Sequence, residues 1–358
     1  MFRRIFERPH TNQKMKIILL TLDYELFGNG SGDVFKHIIE PTEKILSIAE
    51  KHNVRLTIFF EVIEYWRLKK EWNKGNAMGY TENPIKAIEN QIRQAVNKGH
   101  DVQLHLHPQW VDAVWKDEKW HVNESDWRLG GYEREGEYSL KGLFEKGKKT
   151  LEDLIKPIKP DYVCNAVRAG GYCIQPSERI VKVMRETGFR CDSSIYPGGI
   201  ETGHRQFFDF TRLPNDVGFW HCGLSVEDIV PDSDIIELPI VGFNIMRVRK
   251  FLSLGRIASL LKNKTNSKET FEAKTSAGSK SSKLSYFFGR ECQTWDYCLL
   301  SKSLHREFIR KIERQKDRNV FVIVGHPKSL FDDGKNLDWL LKKLARKNYV
   351  CSPKSFRP

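Results

Sequence analysis

The residues best suited to chemistry stand at the ends of short apolar runs. In Val102-Gln-Leu-His105-Leu-His107, apolar and polar residues alternate. A period of two marks a strand and puts both histidines on one face, about 6.6 Å apart along it. Two imidazoles so placed reach one metal ion through bonds of about 2.0–2.1 Å. Pro108 ends the strand, having no N–H for a ladder bond. Three further runs deliver polar groups in the same way. Ile17–Leu22 leads into Asp23-Tyr24-Glu25, Asp161–Val167 into Arg168, and Asn319–Val324 into Gly325-His326.

These residue types form a coherent set. Two histidines and a carboxylate make a three-ligand site with a position left for water, as in hydrolytic zinc sites. An ion held that way lowers the pKa of its water from about 15.7 to about 7. Asp23 and Glu25 lie two apart and point the same way in an extended chain, so one can bind metal while the other takes a proton. Arg168 can pair with such a carboxylate and keep it ionised. His326 can protonate a leaving group. Backbone N–H groups of Gly171 and Tyr172, in the Gly170-Gly171-Tyr172 run, can stabilise an oxyanion where glycine lets the chain approach.

The elements that must position them alternate. Pro41–Lys51 and Pro84–Lys98 have helical periodicity, the second stopped by Gly99, with a strand over Arg55–Phe60 between them. The first hundred residues therefore run β-α-β-α-β, which implies parallel strands with right-handed crossovers. Alternation resumes with helices over Thr150–Ile155 and Ser177–Glu186 and strands over Phe189–Asp192 and Ile235–Ile240. Helices over Ser303–Lys316 and Leu337–Leu344 close the pattern. Two stretches break it. Residues 109–140 interleave Trp110, Trp115, Trp120 and Trp127 with charges and glycines, as either a lid packing its own aromatics or a wall that stacks on sugar rings. Residues 250–290 carry nine basic and two acidic residues and predict a mobile insertion.

The order and content of these motifs resemble the NodB-type polysaccharide deacetylases, which are metal-dependent carbohydrate esterases. The resemblance runs from about Lys16 to Leu330 outside the insertions. It rests on Thr21-Leu22-Asp23, on Gly99-His100-Asp101 followed by His105 and His107-Pro108, on Arg168-Ala-Gly-Gly-Tyr172, and on Val322-Ile-Val-Gly-His326. Asp192-Ser193-Ser194 and Glu237-Leu-Pro239 resemble further landmarks. The resemblance implies an α/β fold, a distorted, incomplete (β/α) barrel forming a single domain with insertions. It also implies Asp23 as catalytic base, His326 as catalytic acid and Arg168 as partner of Asp23. Glu25, His105 and His107 become the ligands of a divalent ion, zinc foremost, with cobalt or nickel as alternatives. Gly171, Tyr172 and Trp110 are expected to face substrate, with Asp192 in a secondary role. Two departures stand out: Tyr24 occupies the place of a second, adjacent aspartate, and the histidines are two apart rather than four. The implied reaction is hydrolysis of an N-acetyl group on a carbohydrate, with metal-bound water as nucleophile. The branch resembled most is linked to bacterial surface polysaccharide synthesis.

Composition narrows the remaining classes. The chain has 358 residues and 59 basic against 46 acidic side chains, formally +13. That suggests a polyanionic partner or an anionic membrane surface, yet no nucleic-acid motif accompanies it. Seven scattered cysteines without a C-x-x-C read as free thiols of a reducing compartment. No apolar run approaches a membrane span, and Met1–Lys16 is charged throughout, so a cytoplasmic protein is expected, with the inner membrane surface as a further place for it. Residues 1–14 and 350–358 are expected as tails around a barrel over 15–349, with Met15 as an alternative start. No G-x-S-x-G offers a nucleophile elbow, and Gly142–Lys149 lacks the Ser/Thr of a phosphate loop. The alternatives are a hydrolase of another C–N amide bond and a non-catalytic glycan-binding barrel.

Overall fold

The computed structural model describes residues 16–247 and 289–349. The expected tails, and all but the last two residues of the 250–290 insertion, lie outside them. From the N-terminus, strand β1 (Ile17–Tyr24) leads to helix α1 (Glu40–Lys51), and β2 (Leu56–Glu61) runs straight into α2 (Val62–Asn73). Helix α3 (Pro84–Asn97) and β3 (Asp101–Leu106) follow. After the Trp-rich stretch come α4 (Leu140–Ile155), β4 (Ala166–Ala169), α5 (Glu178–Thr187), β5 (Cys191–Asp192) and β6 (Ile236–Glu237). Helix α6 (Lys302–Arg314), β7 (Val320–Gly325) and α7 (Lys335–Arg346) complete the layers.

The strands form one sheet in the order β6-β5-β4-β3-β2-β1-β7, all parallel, extended beyond β6 by the antiparallel strands Trp220–Cys222 and Ile229–Val230. Parallel neighbours need crossovers; helices supply them from β1 through β5, while β5 and β6 are joined by residues 193–235, which hold only short strands. The sheet curls until its ends meet. Beyond β6, the Ile240 N–H donates to the Ile195 carbonyl (2.7 Å), and the Val241 N–H donates to the Val322 carbonyl of β7 (2.8 Å). The result is the expected distorted barrel, joined through one irregular segment.

Closure creates two cores. Leu20, Leu22, Leu56, Ile58, Val102 and Leu104 face the helices. Phe59, Ala166, Cys191, Leu238, Ile240, Val322 and Val324 form a separate cluster in the lumen, with Leu19 packed against it. Such barrels are filled by side chains rather than left open. Strand alternation therefore sends one set of residues to each core, and the polar residues that continue the lumen set emerge at the C-terminal mouth. Among the described residues, the cysteines are free and all but Cys292 are buried. No described helix is long and apolar enough to cross a membrane.

Candidate metal centre

Glu25 follows β1, His107 follows β3, and His105 lies in β3 near its end. Their ligand atoms lie within 4.8 Å of one another, and all three residues are buried. Glu25 Oε2 is 2.5 Å from His107 Nε2 and 3.2 Å from His105 Nε2. The donor set fits a divalent ion on two observations. His105 Nδ1 is 2.9 Å from the Arg168 carbonyl, which can only accept, so Nδ1 carries a proton and Nε2 is the nitrogen turned to Glu25. With the ring in its neutral form, the Nε2 lone pair faces the Glu25 carboxylate at 3.2 Å, two acceptors that a cation between them would satisfy. His107 Nε2 is buried and makes no aligned hydrogen bond, although Glu25 is close. At its other nitrogen, Nδ1 is 2.8 Å from the Gln109 amide nitrogen, while Gln109 Oε1 is buried without a partner. A half-turn of that amide would give His107 Nδ1–H an acceptor, the second-shell arrangement usual for a metal-bound imidazole, in exchange for the bond that Gln109 Nε2 donates to the Gly28 carbonyl (3.3 Å).

Beside the triad stands a second constellation. Arg168 Nη1 donates to Asp23 Oδ1 (2.5 Å) and to Thr21 Oγ1 (2.9 Å). Its Nε and Nη2 donate to the Ser193 carbonyl (2.7 Å) and hydroxyl (2.9 Å). The guanidinium lies 4.1 Å above the Phe59 ring, on top of the lumen cluster. Burial favours a neutral Asp23, but Arg168 and His326 outweigh it and hold the carboxyl well below the usual carboxylate range. His326 Nε2 is 3.4 Å from Asp23 Oδ2, and its Nδ1 is 2.8 Å from Asp296 Oδ2. Burial disfavours the imidazolium, yet Asp296 and Asp23 hold His326 up at about 10. Glu61 and Glu64 lie buried close to Glu25. Burial pushes Glu64 up to about 8 and Glu61 well above its ordinary value, so both favour the protonated form.

No protein-family model matches the chain, and no curated protein matches it either. Among solved structures it is similar to a Mycobacterium smegmatis protein assigned as a polysaccharide deacetylase (12% identity, TM-score 0.47), covering 96% of this chain and 89% of that one. It is also similar to the catalytic domain of a peptidoglycan N-acetylglucosamine deacetylase from Eubacterium rectale (12%, 0.40), covering 97% and 93%. A third is a CE4 family pseudoenzyme from Bacillus anthracis (11%, 0.38), covering 96% and 64%.

The structure thus brings together Asp23, Glu25, His105, His107, Arg168 and His326. The Gly170–Tyr172 turn lies against this group. A Cβ on Gly170 would meet the His107 ring at 2.5 Å, and Gly171 and Tyr172 have φ of +56° and +63°. Gly170→Ala is therefore expected to destabilise the protein by about 1–3 kcal/mol through overpacking and to displace His107. Urea denaturation checks this, and an unchanged midpoint would contradict the contact.

One expectation needs correction. Trp110 is 1% exposed and packs edge-on against Trp120 (5.5 Å), so it cannot stack on a sugar. Residues 109–140 largely pack their own aromatics, and half-buried Trp127 lies close to Gly28 and to Gly171 of the turn beside His107. Asp192 stands at the end of β5. Its neighbour Cys191 lines the lumen, so Asp192 points outward. It accepts from Ser194 N (2.9 Å) and Ser194 Oγ (2.8 Å), shaping the turn whose Ser193 holds Arg168.

Sequence reasoning missed Asp296 and Lys328. Asp296 is a single acid in the Thr294–Tyr297 stretch, which pairs with β7 through Val324. Lys328 donates to Glu25 Oε1 (2.8 Å). The only available signals were an acid set among aromatics and a cation two residues after a candidate histidine.

Proposed function

We propose that this protein is a metal-dependent carbohydrate N-deacetylase, which removes acetyl groups from N-acetylated sugars as acetate. The reading rests on one observation: a three-residue metal-ligand set meets an Asp–Arg pair and a His–Asp pair at one barrel mouth. Carbohydrate as substrate is what the resemblance to the NodB-type polysaccharide deacetylases implies, and half-buried Trp127 lies beside the site.

In this reading Glu25, His105 and His107 hold a divalent ion, zinc by donor type, which supplies Lewis acidity toward water and the acetamide carbonyl. Asp23, kept ionised by Arg168, accepts the proton of the attacking water. The N–H groups of the Gly171–Tyr172 turn donate to the developing oxyanion. His326, protonated against Asp296, gives its proton to the departing amine. One water is consumed, and the products are acetate and a free amino sugar. Acetate release from a panel of N-acetyl sugars, supplied as monosaccharides, nucleotide sugars and polymers, tests this in zinc-loaded protein. Saturable glycan binding with no acetate released from any of them would sink it.

Asp296 sets where that activity ends at high pH. A general acid must be protonated, so the rate falls as pH rises through the His326 pKa. Asp296→Asn removes the carboxylate that raises it, while burial still lowers it. A bound dication lowers His326 in both proteins alike. The alkaline limb of the variant's pH–rate profile is therefore expected at lower pH than the wild type's. Superimposable profiles would remove Asp296 from the mechanism.

A further inference from the structure

A lysine inside a metal site is an unusual neighbour, because its charge opposes that of the ion. Lys328 lies in the turn Pro327–Ser329, directly after His326. Its side chain is 12% exposed. The ammonium donates to Glu25 Oε1 at 2.8 Å and to the Leu26 carbonyl at 2.5 Å, and lies 5.5 Å from the Phe27 ring centroid. Glu64 Oε2 in turn accepts from Leu26 N at 2.9 Å, which fixes the strap that Lys328 grips. The two oxygens of Glu25 are thus divided. Oε2 faces both imidazoles, and Oε1 is taken by the lysine.

That division has a chemical consequence. A carboxylate with both oxygens free can bind an ion through the pair. With His105 and His107 this would make four donor atoms, the full set of a closed tetrahedral zinc site. With Oε1 engaged elsewhere the protein supplies three, and a position stays free for water or substrate. The lysine also balances the charge of the buried Glu25 carboxylate, and it would weaken the hold on the ion by repulsion.

We propose that Lys328 is a positioning residue that keeps Glu25 a one-oxygen ligand, trading metal affinity for an open coordination position. This rests on the metal-centre reading above. The test compares wild type, Lys328→Met and Lys328→Gln for zinc affinity, by competition with a chromophoric chelator, and for the visible spectrum of the cobalt-substituted protein. Lys328→Met is expected to bind zinc tighter by about tenfold or more, in the range that outer-shell changes produce. Its cobalt absorption should shift, because the second Glu25 oxygen would take the position left open for water in the wild type. Lys328→Gln loses the charge but can still donate to Oε1. It should bind zinc tighter while keeping the wild-type cobalt spectrum, and it carries the test if the Met variant does not fold. Folded variants with unchanged or weaker zinc binding, or a Met variant with an unaltered cobalt spectrum, would overturn the role of Lys328 while leaving the metal centre standing. A wild-type protein that takes up neither zinc nor cobalt would overturn both.

Discussion

Replacing His105 and His107 together with alanine is expected to take zinc from about one equivalent per chain to none and to remove activity with it. The two imidazoles supply two of the three side chains whose ligand atoms meet within 4.8 Å. Glu25 alone, already paired with Lys328, is a single exposed oxygen to the ion. Elemental mass spectrometry on both proteins reads the loss directly. Thermal melts give a second reading. A ligand that binds only the folded state stabilises it by about 2.7 kcal/mol at a hundred times its dissociation constant. Added zinc should therefore raise the wild-type midpoint and leave the double variant where it is. Equal zinc content in the two proteins would place the ion elsewhere.

Asp23→Asn is expected to separate catalysis from metal binding. The carboxylate accepts the proton in the proposed reaction, and general base catalysis is typically worth about 10²–10⁴-fold, so the rate should fall by that much. Zinc content should stay at the wild-type level, because Asp23 is not one of the three converging ligands. Stability should fall too. Arg168 and Asp23 have side-chain exposures of 0% and 3%, and removing one partner of such a pair costs about 3–5 kcal/mol. Asparagine keeps the oxygen that accepts from Arg168, so part of this loss is recovered. Acetate release, zinc content and a urea melt on one preparation distinguish the terms. A near-wild-type rate in a folded, zinc-loaded variant would remove Asp23 as the base.

Much of the site was legible because its signals are local. Alternation in Val102–His107 reports a strand and the shared face of its histidines, and Pro108 and Gly99 mark its ends. Buried parallel strands read as apolar runs, so β1 and β7 announce themselves and the polar residues after them stand out. Helix α2 is harder to read. It follows β2 without a loop, and Glu61 both ends the strand and caps the helix through Ile63 N at 2.9 Å.

What the sequence by itself determined is the set of chemical types and the strand ends that present them: a carboxylate pair, a histidine pair, an arginine and a histidine, each at a C-terminal end. Tertiary structure alone decided who meets whom. Asp23 and Arg168 are 145 residues apart, and Lys328 and Glu25 are 303 apart. Closure of the sheet through Ile240 and Val241, beside which Asp296 reaches His326, pairs the end of the Ile235–Ile240 run with β7, a long-range match that local periodicity does not specify. The same folding buries Trp110 beneath Trp120 and turns Asp192 away from the lumen. Periodicity tells which face a side chain takes, but the neighbour on that face is chosen by the curl of the sheet and by desolvation, which acts on groups from the whole chain at once.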